Sequence, residues 1–419
     1  MQAMVFMLTY PQALKKILAN TFLMRPKKLP LNQSLGLTLA KDIFAPEPFP
    51  HFDNSAVDGY AIRQETRDGR QETGEKAPAL CPVSRAPFQF KIQGEIRAGE
   101  CFEGTVKPGH AVQIFTGAPI PRGAQAVVMQ EHTERRNGSV LISKDLRPGD
   151  NIRFRGEDFQ KGHHLLEKGI LLEPSHLALL AAVGYQKVFV HPAPKVSLLT
   201  TGSELLKLGQ RLQPGKIRDS NTILLEGLVK QTGGIPKSLA KVGDDFKQIR
   251  FWIRKGLKSD LLIISGGVSV GKYDFVKEIL KNEGVKEIFW KVNIKPGKPL
   301  FFGKKGRTLV FGLPGNPVSA FVTFEEFVKP ALLKMQGKKN LQRPIQGVLT
   351  TPFRNGSRFH FVRAQCARKN GRYTVRPLKG QGSHMIGELA SANAILPVAP
   401  HAVLRRNQVV SVKILGMAS

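Results

Sequence analysis

The sequence of 419 residues is poor in cysteine and contains no long apolar run. Its three cysteines, Cys81, Cys101 and Cys366, are few, odd in number and without metal-ligand spacing, which suits a reducing cytoplasm. No window holds about 18 uninterrupted apolar residues, which argues against a membrane-spanning helix. The first residues lack a basic region, and the apolar stretch Val5 to Leu8 is too short for a signal-peptide core.

Acidic side chains are also scarce, since 63 Lys and Arg stand against 32 Asp and Glu and give a formal net charge of +31. From Lys334 onward, 15 basic residues meet one acid, Glu388. Such an excess raises association rates with anions and promotes loose nucleic-acid binding. Because no nucleic-acid module accompanies the charge, we interpret it as a general or solubility trait and expect no nucleic-acid partner.

The length predicts two to four domains, and the composition changes along the chain accordingly. Thr9 and Gln12 form a capping-box pattern that predicts a helix running to about Leu23. From Arg63 to Arg147, short strands with Gly and Pro between them indicate a small all-β module. From Lys195 to about Leu333, strands and helices alternate as in a doubly wound sheet. Past Gly337 the helical pattern stops, and short strands such as Gly347 to Phe353 indicate a closed β module.

Three loops of the alternating block follow predicted strands and carry anion-binding features. The apolar run Leu261 to Ile264 predicts a strand buried on both faces, and a Gly-rich turn follows it. Glycines allow close backbone approach, and successive N–H groups can cradle an anion. The second loop holds Lys295 and Lys298 between prolines, and the third is Leu313 to Ala320. Ligands bind beyond the carboxyl ends of strands in open α/β sheets, so we expect the loops to converge on one anionic ligand.

Three carboxylates also fall where predicted strands end: Glu204, Asp244 and Asp274. Mg²⁺ in proteins is commonly held by one or two carboxylates together with substrate phosphates. This set is therefore a plausible constellation for a magnesium ion.

Other polar stretches allow both a structural and a functional interpretation. The loop His51 to Ala61 concentrates Asp, Asn and Ser, which turns favour as well. The loop at Thr116 follows a predicted strand and is typical of a simple turn. The cluster Arg155 to Asp158 is as consistent with a solvated salt-bridge patch as with a functional role.

A nucleotide-hydrolase loop is the nearest generic motif to the Gly-rich turn. Residues Gly266 to Lys272 match its first seven positions, but the eighth is Tyr273 instead of the Ser or Thr that binds Mg²⁺. The sequence shows no obvious strand ending in the acidic residue of a Walker B motif, which such hydrolases also require. The pattern therefore argues against a P-loop NTPase and favours an anion-binding loop of another type.

Six segments, taken together, resemble the molybdopterin molybdotransferases, the MoeA and gephyrin E-domain group. They lie in family order across almost the whole chain, which makes the resemblance specific. The segments are Phe52 to Ala61, Phe115 to Pro119, Arg155 to Asp158, Ser265 to Gly271, Ile294 to Pro299 and Leu313 to Ala320.

The resemblance implies an α/β multidomain fold in an elongated homodimer. Residues 1–50 with 149–192 would form a mixed N-terminal domain, and 51–148 a β lid. Residues 193–335 would form the doubly wound molybdopterin-binding domain, and 336–419 a C-terminal β barrel.

The resemblance also implies a cytoplasmic enzyme of molybdenum cofactor biosynthesis that inserts molybdate into adenylylated molybdopterin, with Mg²⁺-dependent release of AMP. Its partners would be a molybdopterin adenylyltransferase and downstream molybdoenzymes or their chaperones. The implied catalytic residues are Asp58, Thr116, Lys295, Lys298 and Asp274, and the implied metal ligands are Glu204, Asp244 and Asp274. The implied residues for binding the pterin substrate and molybdate are Gly202, Glu204, Ser265, Gly266, Gly267, Ser269, Gly271, Pro299, Pro314, Gly315, Asn316 and Pro317.

A non-catalytic dimeric scaffold is the alternative function, because the gephyrin branch also clusters receptors through this fold and a fold does not fix a function. The presence of Lys295, Lys298 and Asp58 argues against a loss of catalysis. A P-loop NTPase is the third candidate, and hydrolysis of ATP alone would distinguish it.

Overall fold

The computed structural model describes residues 7–63, 88–267, 275–338 and 344–416. The chain divides into two compact units. The first unit consists of Met1–Lys41, Lys168–Leu177 and Gln186–Ser419, and the second of Asp42–Glu167 and Ala178–Tyr185. Within the described ranges, no helix is long and apolar enough to cross a membrane. The four domain limits implied by the resemblance stay a prediction.

Short strands outnumber helices in the described residues. The helices are α1 (Tyr10–Asn20), α2 (Pro174–Ala182), α3 (Asn221–Gln231), α4 (Phe246–Gly256), α5 (Phe275–Asn282), α6 (Pro317–Thr323), α7 (Lys329–Met335) and α8 (Ile386–Ala390). The strands are β1 (Lys27–Pro30), β2 (Thr38–Leu39), β3 (Ile43–Phe44), β4 (Asn54–Ser55), β5 (Gly59–Arg63), β6 (Phe88–Ile96), β7 (His110–Ile114), β8 (Ala126–Met129), β9 (Thr133–Arg136), β10 (Ser139–Ile142), β11 (Ile152–Arg153), β12 (His164–Leu166), β13 (Lys187–His191), β14 (Lys195–Thr201), β15 (Leu205–Leu206), β16 (Ile217–Arg218), β17 (Ile235–Val242), β18 (Leu261–Ser265), β19 (Lys286–Trp290), β20 (Ile294–Lys295), β21 (Phe301–Lys305), β22 (Thr308–Leu313), β23 (Ile345–Leu349), β24 (Phe353–Arg354), β25 (Phe359–Lys369), β26 (Arg372–Pro377), β27 (Ala394–Val398), β28 (Val403–Leu404) and β29 (Val409–Ile414).

A six-stranded sheet with the order β17-β14-β18-β22-β21-β19 forms the centre of the first unit. Its first four strands are parallel, and β18 is buried along its whole length, as the apolar run predicts. Helices α1, α3, α6 and α7 pack on one face, whereas α4 and α5 pack on the other. The doubly wound prediction is therefore confirmed. The antiparallel strand β21 was not predicted, and it runs antiparallel because only a tight turn at Gly306 joins it to β22.

The strands after residue 344 close into a barrel, and the earlier strand β20 pairs with β25 of this barrel. The order is β20-β25-β26-β23-β29-β27, and β27 also pairs with β25, which closes the sheet on itself. The single predicted strand Gly347 to Phe353 is wrong, because the structure has two strands there, β23 and β24, with a break between them. Pro352 lies in this break and has no N–H to donate to a strand ladder. The short helix α8 is a further correction, since no helix was expected beyond Gly337.

The second unit contains a six-stranded sheet with the order β8-β5-β7-β6-β10-β9, which confirms the small all-β module. Its two faces bury separate clusters that include Tyr60 and Val128 on one side and Ala61 and Val127 on the other. In the first unit, α1 begins behind the predicted cap, where the Gln12 side chain accepts a hydrogen bond from the Thr9 N–H at 3.0 Å. It ends at Asn20, earlier than the predicted Leu23.

Candidate active site

A pocket of about 420 Å³ lies at the carboxyl ends of the parallel strands, and we call it the strand-end pocket. The loops after β14, β18 and β22 all contribute to it, and the loop after β17 adds Asp244. Its lining residues are Thr200, Thr201, Gly202, Glu204, Leu205, Ile217, Arg218, Asp219, Ser220, Asn221, Asp244, Ser265, Gly266, Gly267, Pro299, Pro314, Gly315, Asn316 and Pro317.

The Gly-rich loop reaches this pocket in a conformation that needs glycine. Gly266 has a φ of +89°, and a Cβ there would lie 2.3 Å from the carbonyl oxygen of Thr201. The Gly266 N–H donates to the carbonyl of Leu313 at 3.1 Å, which holds the loops after β18 and β22 together. Asn221 reinforces this link, because its amide donates to the Ser265 hydroxyl at 2.9 Å and to the Gly315 carbonyl at 2.7 Å.

Two carboxylates enter the strand-end pocket through the loops after β14 and β17. A Cβ on Gly202 would lie 2.6 Å from the Glu204 carboxylate, so glycine makes room for that side chain. The Asp244 N–H donates to the Ser203 hydroxyl at 2.9 Å, and the Ser203 N–H faces the Asp244 carboxylate at 3.4 Å. This reciprocal contact ties the two loops and fixes where the carboxylates enter.

A second pocket of about 470 Å³ contains both predicted lysines, and we call it the lysine pocket. It shares Pro299, Pro314 and Asn316 with the strand-end pocket, so these three residues form a common wall. Its lining residues are Lys295, Pro296, Gly297, Lys298, Pro299, Pro314, Asn316, Ser319, Arg358, Gln381, Gly382 and Ser383. Three of these side chains are cations and none of them is acidic, which suits an anionic ligand.

The barrel completes the lysine pocket through Arg358 and through residues 380–383, which we call the barrel loop. Asn316 donates to the hydroxyl of Ser383 at 3.1 Å, and Arg358 donates to the carbonyl of Ile294 at 3.3 Å. His360 pairs with Lys295 across strands β20 and β25 and is 2% exposed. Burial, together with the cations Lys295, Arg363 and Arg358, lowers its pKa to about 4, so this imidazole is neutral at pH 7.

Asp58 and Thr116, which belong to the predicted lid, contact each other inside the second unit. The backbone N–H of Thr116 donates to the Asp58 carboxylate at 2.8 Å and its hydroxyl donates at 2.7 Å. These two hydrogen bonds hold the pKa of Asp58 below its usual value, so the carboxylate is ionised at pH 7. In the same unit the Asp53 carboxylate accepts from the Arg155 N–H at 2.7 Å, and Glu157 accepts from the Phe154 N–H at 2.9 Å. Asp53 therefore joins two loops that are far apart in the chain, whereas Glu157 shapes its own turn.

The strand-end pocket fits a hard cation that also contacts phosphate. Glu204 and Asp244 both line it, and oxygen donors of this kind suit Mg²⁺. Across the described ranges no cluster of three or more His, Cys, Asp or Glu side chains could hold a metal ion. The third predicted ligand, Asp274, lies outside the described residues. The described donors match an ion held by one or two carboxylates and completed by its ligand.

Comparisons with known proteins identify the family of the chain. Three family models match in succession: the MoeA N-terminal region at residues 8–184, a probable molybdopterin binding domain at 197–334 and the MoeA C-terminal region at 346–415. Molybdopterin molybdenumtransferase 2 of Mycobacterium tuberculosis is 38% identical over 89% of this chain and 91% of its own length. The molybdopterin molybdenumtransferase of Haemophilus influenzae is 36% identical over 93% and 94%. The chain belongs to the molybdopterin molybdenumtransferase family.

A solved structure supports the same assignment. The molybdopterin biosynthesis MoeA protein of Pyrococcus horikoshii aligns with a TM-score of 0.73 and 32% identity, covering 97% of this chain and 100% of that one. The family of molybdopterin molybdenumtransferases consists of enzymes, so the sequence-based recognition, the enzyme class and the multidomain α/β fold with a C-terminal barrel are confirmed.

The predicted site residues of this family member fall into three groups in the structure. Glycines, carboxylates and the Pro314 loop converge on the strand-end pocket, and the lysines lie in the adjoining lysine pocket. Asp58 and Thr116 are in the other unit. Ser269, Gly271 and Asp274 lie outside the described residues. The functional roles of all these residues stay predictions.

Sequence reasoning missed the contributions of Asn221 and of the barrel. Asn221 follows Asp219 and Ser220, which the sequence indicates as a helix cap, and Asp219 does accept a hydrogen bond from the Thr222 N–H at 3.1 Å. Because these residues fit a helix cap, sequence reasoning assigned no role in the pocket to the Asn221 amide. In the barrel, the run Gln381-Gly382-Ser383 between predicted strands is a turn signal, but nothing local indicates that this turn reaches Asn316.

Proposed function

We propose that this chain inserts molybdate into adenylylated molybdopterin and releases AMP. One observation carries the proposal: a Gly-rich, carboxylate-bearing pocket adjoins a pocket that contains three cations and no acid among its lining residues. A nucleotide-linked pterin and an oxyanion require two such environments side by side. The common wall brings the two ligands within reach of each other.

The lysine pocket would bind molybdate. Lys295 and Lys298 sit on a loop stiffened by prolines, and Arg358 adds a third positive charge from the barrel. Fixed cations in a recess cost little reorganisation when a dianion arrives, and they stabilise negative charge that shifts during the transfer. The pocket therefore orients the oxyanion beside the common wall.

The strand-end pocket would bind the pterin nucleotide. The glycines at 266 and 267 allow the backbone to approach phosphate oxygens closely. Glu204 and Asp244 would hold Mg²⁺ against those oxygens, and the ion would supply neutralisation of the pyrophosphate charge. Water would cleave the phosphoanhydride bond that joins molybdopterin to AMP, so that AMP leaves with one phosphate and molybdopterin keeps the other. The two dithiolene sulfurs would bind the molybdenum of the molybdate already in place, and one of its oxygens would leave as water with the two thiol protons.

A reconstituted assay tests this function. The protein is incubated with adenylylated molybdopterin, Mg²⁺ and molybdate, and AMP and pterin-bound molybdenum are measured. We expect the parent to form AMP and pterin-bound molybdenum in equal amounts. At low molybdate concentration, Lys298→Ala should form neither product. The exposed Lys305→Ala, which removes a lysine outside both pockets, is the matched control and should behave like the parent. Specific binding of a partner protein without either product would instead favour the non-catalytic scaffold.

We further propose that the protein acts as a homodimer whose sites are shared. Asp58 and Thr116 belong to one compact unit and the pocket lysines to the other, which motivates the pairing of one copy's lid with the partner's pockets. Mixing inactive Asp58→Ala and Lys298→Ala chains makes about half the dimers mixed, so roughly a quarter of the sites should become active. Activity at the level of the separate variants, with subunit exchange confirmed, would show that both residues serve a site within one chain.

The cellular setting follows from the proposed reaction. The substrate must come from an enzyme that adenylylates molybdopterin, and the product must pass to molybdoenzymes or their chaperones. We place these steps in the cytoplasm, which suits the three cysteines. Pull-down of the tagged protein with and without AMP would test for these partners.

A further inference from the structure

The helix that borders the lysine pocket continues well beyond it. α6 follows Asn316, and a π-helical turn, Phe324–Val328, joins α6 to α7. Such turns interrupt helices frequently at functional sites. Here the turn carries Glu325 and Glu326, which are only 2% and 6% exposed. Two neighbouring carboxylates buried in this way are costly unless cations meet them.

Lys413 of the barrel strand β29 meets both carboxylates. Its Nζ lies 3.0 Å from the Glu325 carbonyl oxygen, 3.2 Å from a carboxylate oxygen of Glu326 and 3.4 Å from one of Glu325. Lys329 donates to the Glu325 carboxylate at 3.0 Å, and the Tyr10 hydroxyl donates to Glu326 at 2.9 Å. Two ammonium groups thus balance two carboxylates, and the bridge between helix and barrel is a charge-assisted one.

On the barrel side, Lys413 shares a cross-strand row with Arg363. Lys413 pairs with Ile395, and Ile395 pairs with Arg363 on β25. The buried guanidinium of Arg363 donates to the carbonyls of Gly380 at 2.7 Å and Gly382 at 3.1 Å. A continuous path of hydrogen-bonded strands therefore leads from the helix carboxylates to the barrel loop.

Polar side chains attach the barrel to this helix at both of its ends. Near the lysine pocket, Asn316 donates to Ser383, and further along the helix Glu325 and Glu326 contact Lys413. Between these ends, Phe361 and Ile395 of the barrel pack in the same apolar core as Phe327. Apolar packing keeps the barrel close but is non-directional, whereas the two polar attachments fix its orientation, and with it the position of Arg358 in the pocket.

We propose that Lys413 is a positioning residue for the oxyanion: its bridge to Glu325 and Glu326 holds the barrel so that Arg358 and the barrel loop complete the lysine pocket. The inference rests on the proposed function for its ligand, molybdate. It assigns to a lysine outside both pockets an effect on the affinity for the oxyanion.

Lys413→Met tests the proposal. We expect the KM for molybdate to rise about tenfold while kcat changes less than about twofold, because uniform binding of the oxyanion is lost. Lys413→Arg keeps a cation at the bridge and should restore the parent KM. Lys369→Met, which removes an exposed lysine from the same barrel, should leave the KM unchanged.

A double variant separates positioning from stability. Lys413→Met leaves an unbalanced buried carboxylate, whereas Lys413→Met with Glu326→Gln restores the charge balance without restoring the bridge. If the bridge positions the barrel, the double variant regains thermal stability but keeps the raised KM. Recovery of the parent KM together with stability would overturn the proposal, as would a parent-like KM in Lys413→Met.

A second readout does not depend on turnover. Amide hydrogen exchange of the barrel loop should accelerate about tenfold in Lys413→Met and in the double variant, but not in Lys369→Met. If the parent forms no product, the proposed function fails while this exchange measurement still tests the bridge. Unchanged exchange in Lys413→Met would show that the bridge does not hold the loop.

Discussion

Replacing Gly266 by alanine should destabilise the α/β domain through a specific backbone contact. Gly266 begins the Gly-rich loop after strand β18 and has a φ of +89°, and an added Cβ would lie 2.3 Å from the carbonyl oxygen of Thr201. That oxygen belongs to the backbone of the neighbouring strand β14, so it cannot rotate away as a side chain could. Relief of the contact requires the two strand ends to separate.

The magnitude follows from two contributions. A residue with a Cβ in the left-handed region costs about 1–2 kcal/mol. Forcing an extra methyl group into a packed position costs about 1–3 kcal/mol more. We therefore expect Gly266→Ala to lower the free energy of unfolding by about 3 kcal/mol. Gly215→Ala is the matched control, because Gly215 has a φ of +73° but no atom within 4 Å of the added Cβ. It should cost only about 1 kcal/mol.

Tryptophan fluorescence reports this domain selectively. The chain has two tryptophans, Trp252 in α4 and Trp290 in β19, and both belong to the α/β sheet layer. Guanidinium titrations of the parent and both variants give the midpoint and the m-value, and equal m-values license the comparison. Equal losses for Gly266→Ala and Gly215→Ala would refute the reasoning, because the Thr201 contact would then contribute nothing.

Three further predictions concern charge. Lys298→Ala should raise the KM for molybdate more than that for the pterin nucleotide, and excess molybdate should partly rescue it; an unchanged molybdate response would place Lys298 outside the site. Asp244→Asn keeps the side-chain acceptor for the Ser203 N–H but removes a negative charge. The Mg²⁺ concentration that gives half-maximal AMP release should therefore rise severalfold. An unchanged Mg²⁺ requirement would exclude Asp244 as a metal ligand. The pKa of His360 is about 4 in the folded protein and 6.5 in the unfolded chain. Between these pH values the unfolded chain binds more protons than the folded protein, so protonation favours unfolding. The free energy of unfolding of the barrel should therefore fall by up to about 3 kcal/mol as the pH falls from 6.5 to 4. Calorimetry should show this loss of stability in the parent and in His384→Phe, which replaces an exposed histidine, but not in His360→Phe.

Local signals in the sequence predicted the parts of the fold that depend on neighbouring residues. α1 begins where the Thr9 and Gln12 pattern predicts it, because a capping pattern acts within a few residues. The strand β18 is buried throughout, as an uninterrupted apolar run requires. Two of the three predicted loops, those after β18 and β22, converge on the strand-end pocket, since carboxyl ends of parallel strands meet at one edge, whereas Lys295 and Lys298 line the adjoining lysine pocket.

Long-range pairing explains what the sequence did not predict. The barrel loop reaches the lysine pocket only because β25 closes the barrel with β27 and carries Arg363 beneath that loop. Asn316 and Ser383 are far apart in the chain, so no periodicity relates them. The carboxylates of Asp53 and Glu157 were candidates for function by type, yet their hydrogen bonds go to nearby backbone. Residue type alone does not distinguish a carboxylate that binds a ligand from one that accepts hydrogen bonds from the backbone.

The common wall of Pro299, Pro314 and Asn316 has a thermodynamic consequence for the order of binding. Two prolines have few backbone alternatives, so a ligand that displaces this wall on one side displaces it on the other. Any free energy of coupling between the two ligands is then reciprocal. If the bound pterin nucleotide raises the affinity for molybdate, bound molybdate must raise the affinity for the nucleotide by the same factor, so that scarce molybdate is bound mainly by copies of the protein that already hold the pterin.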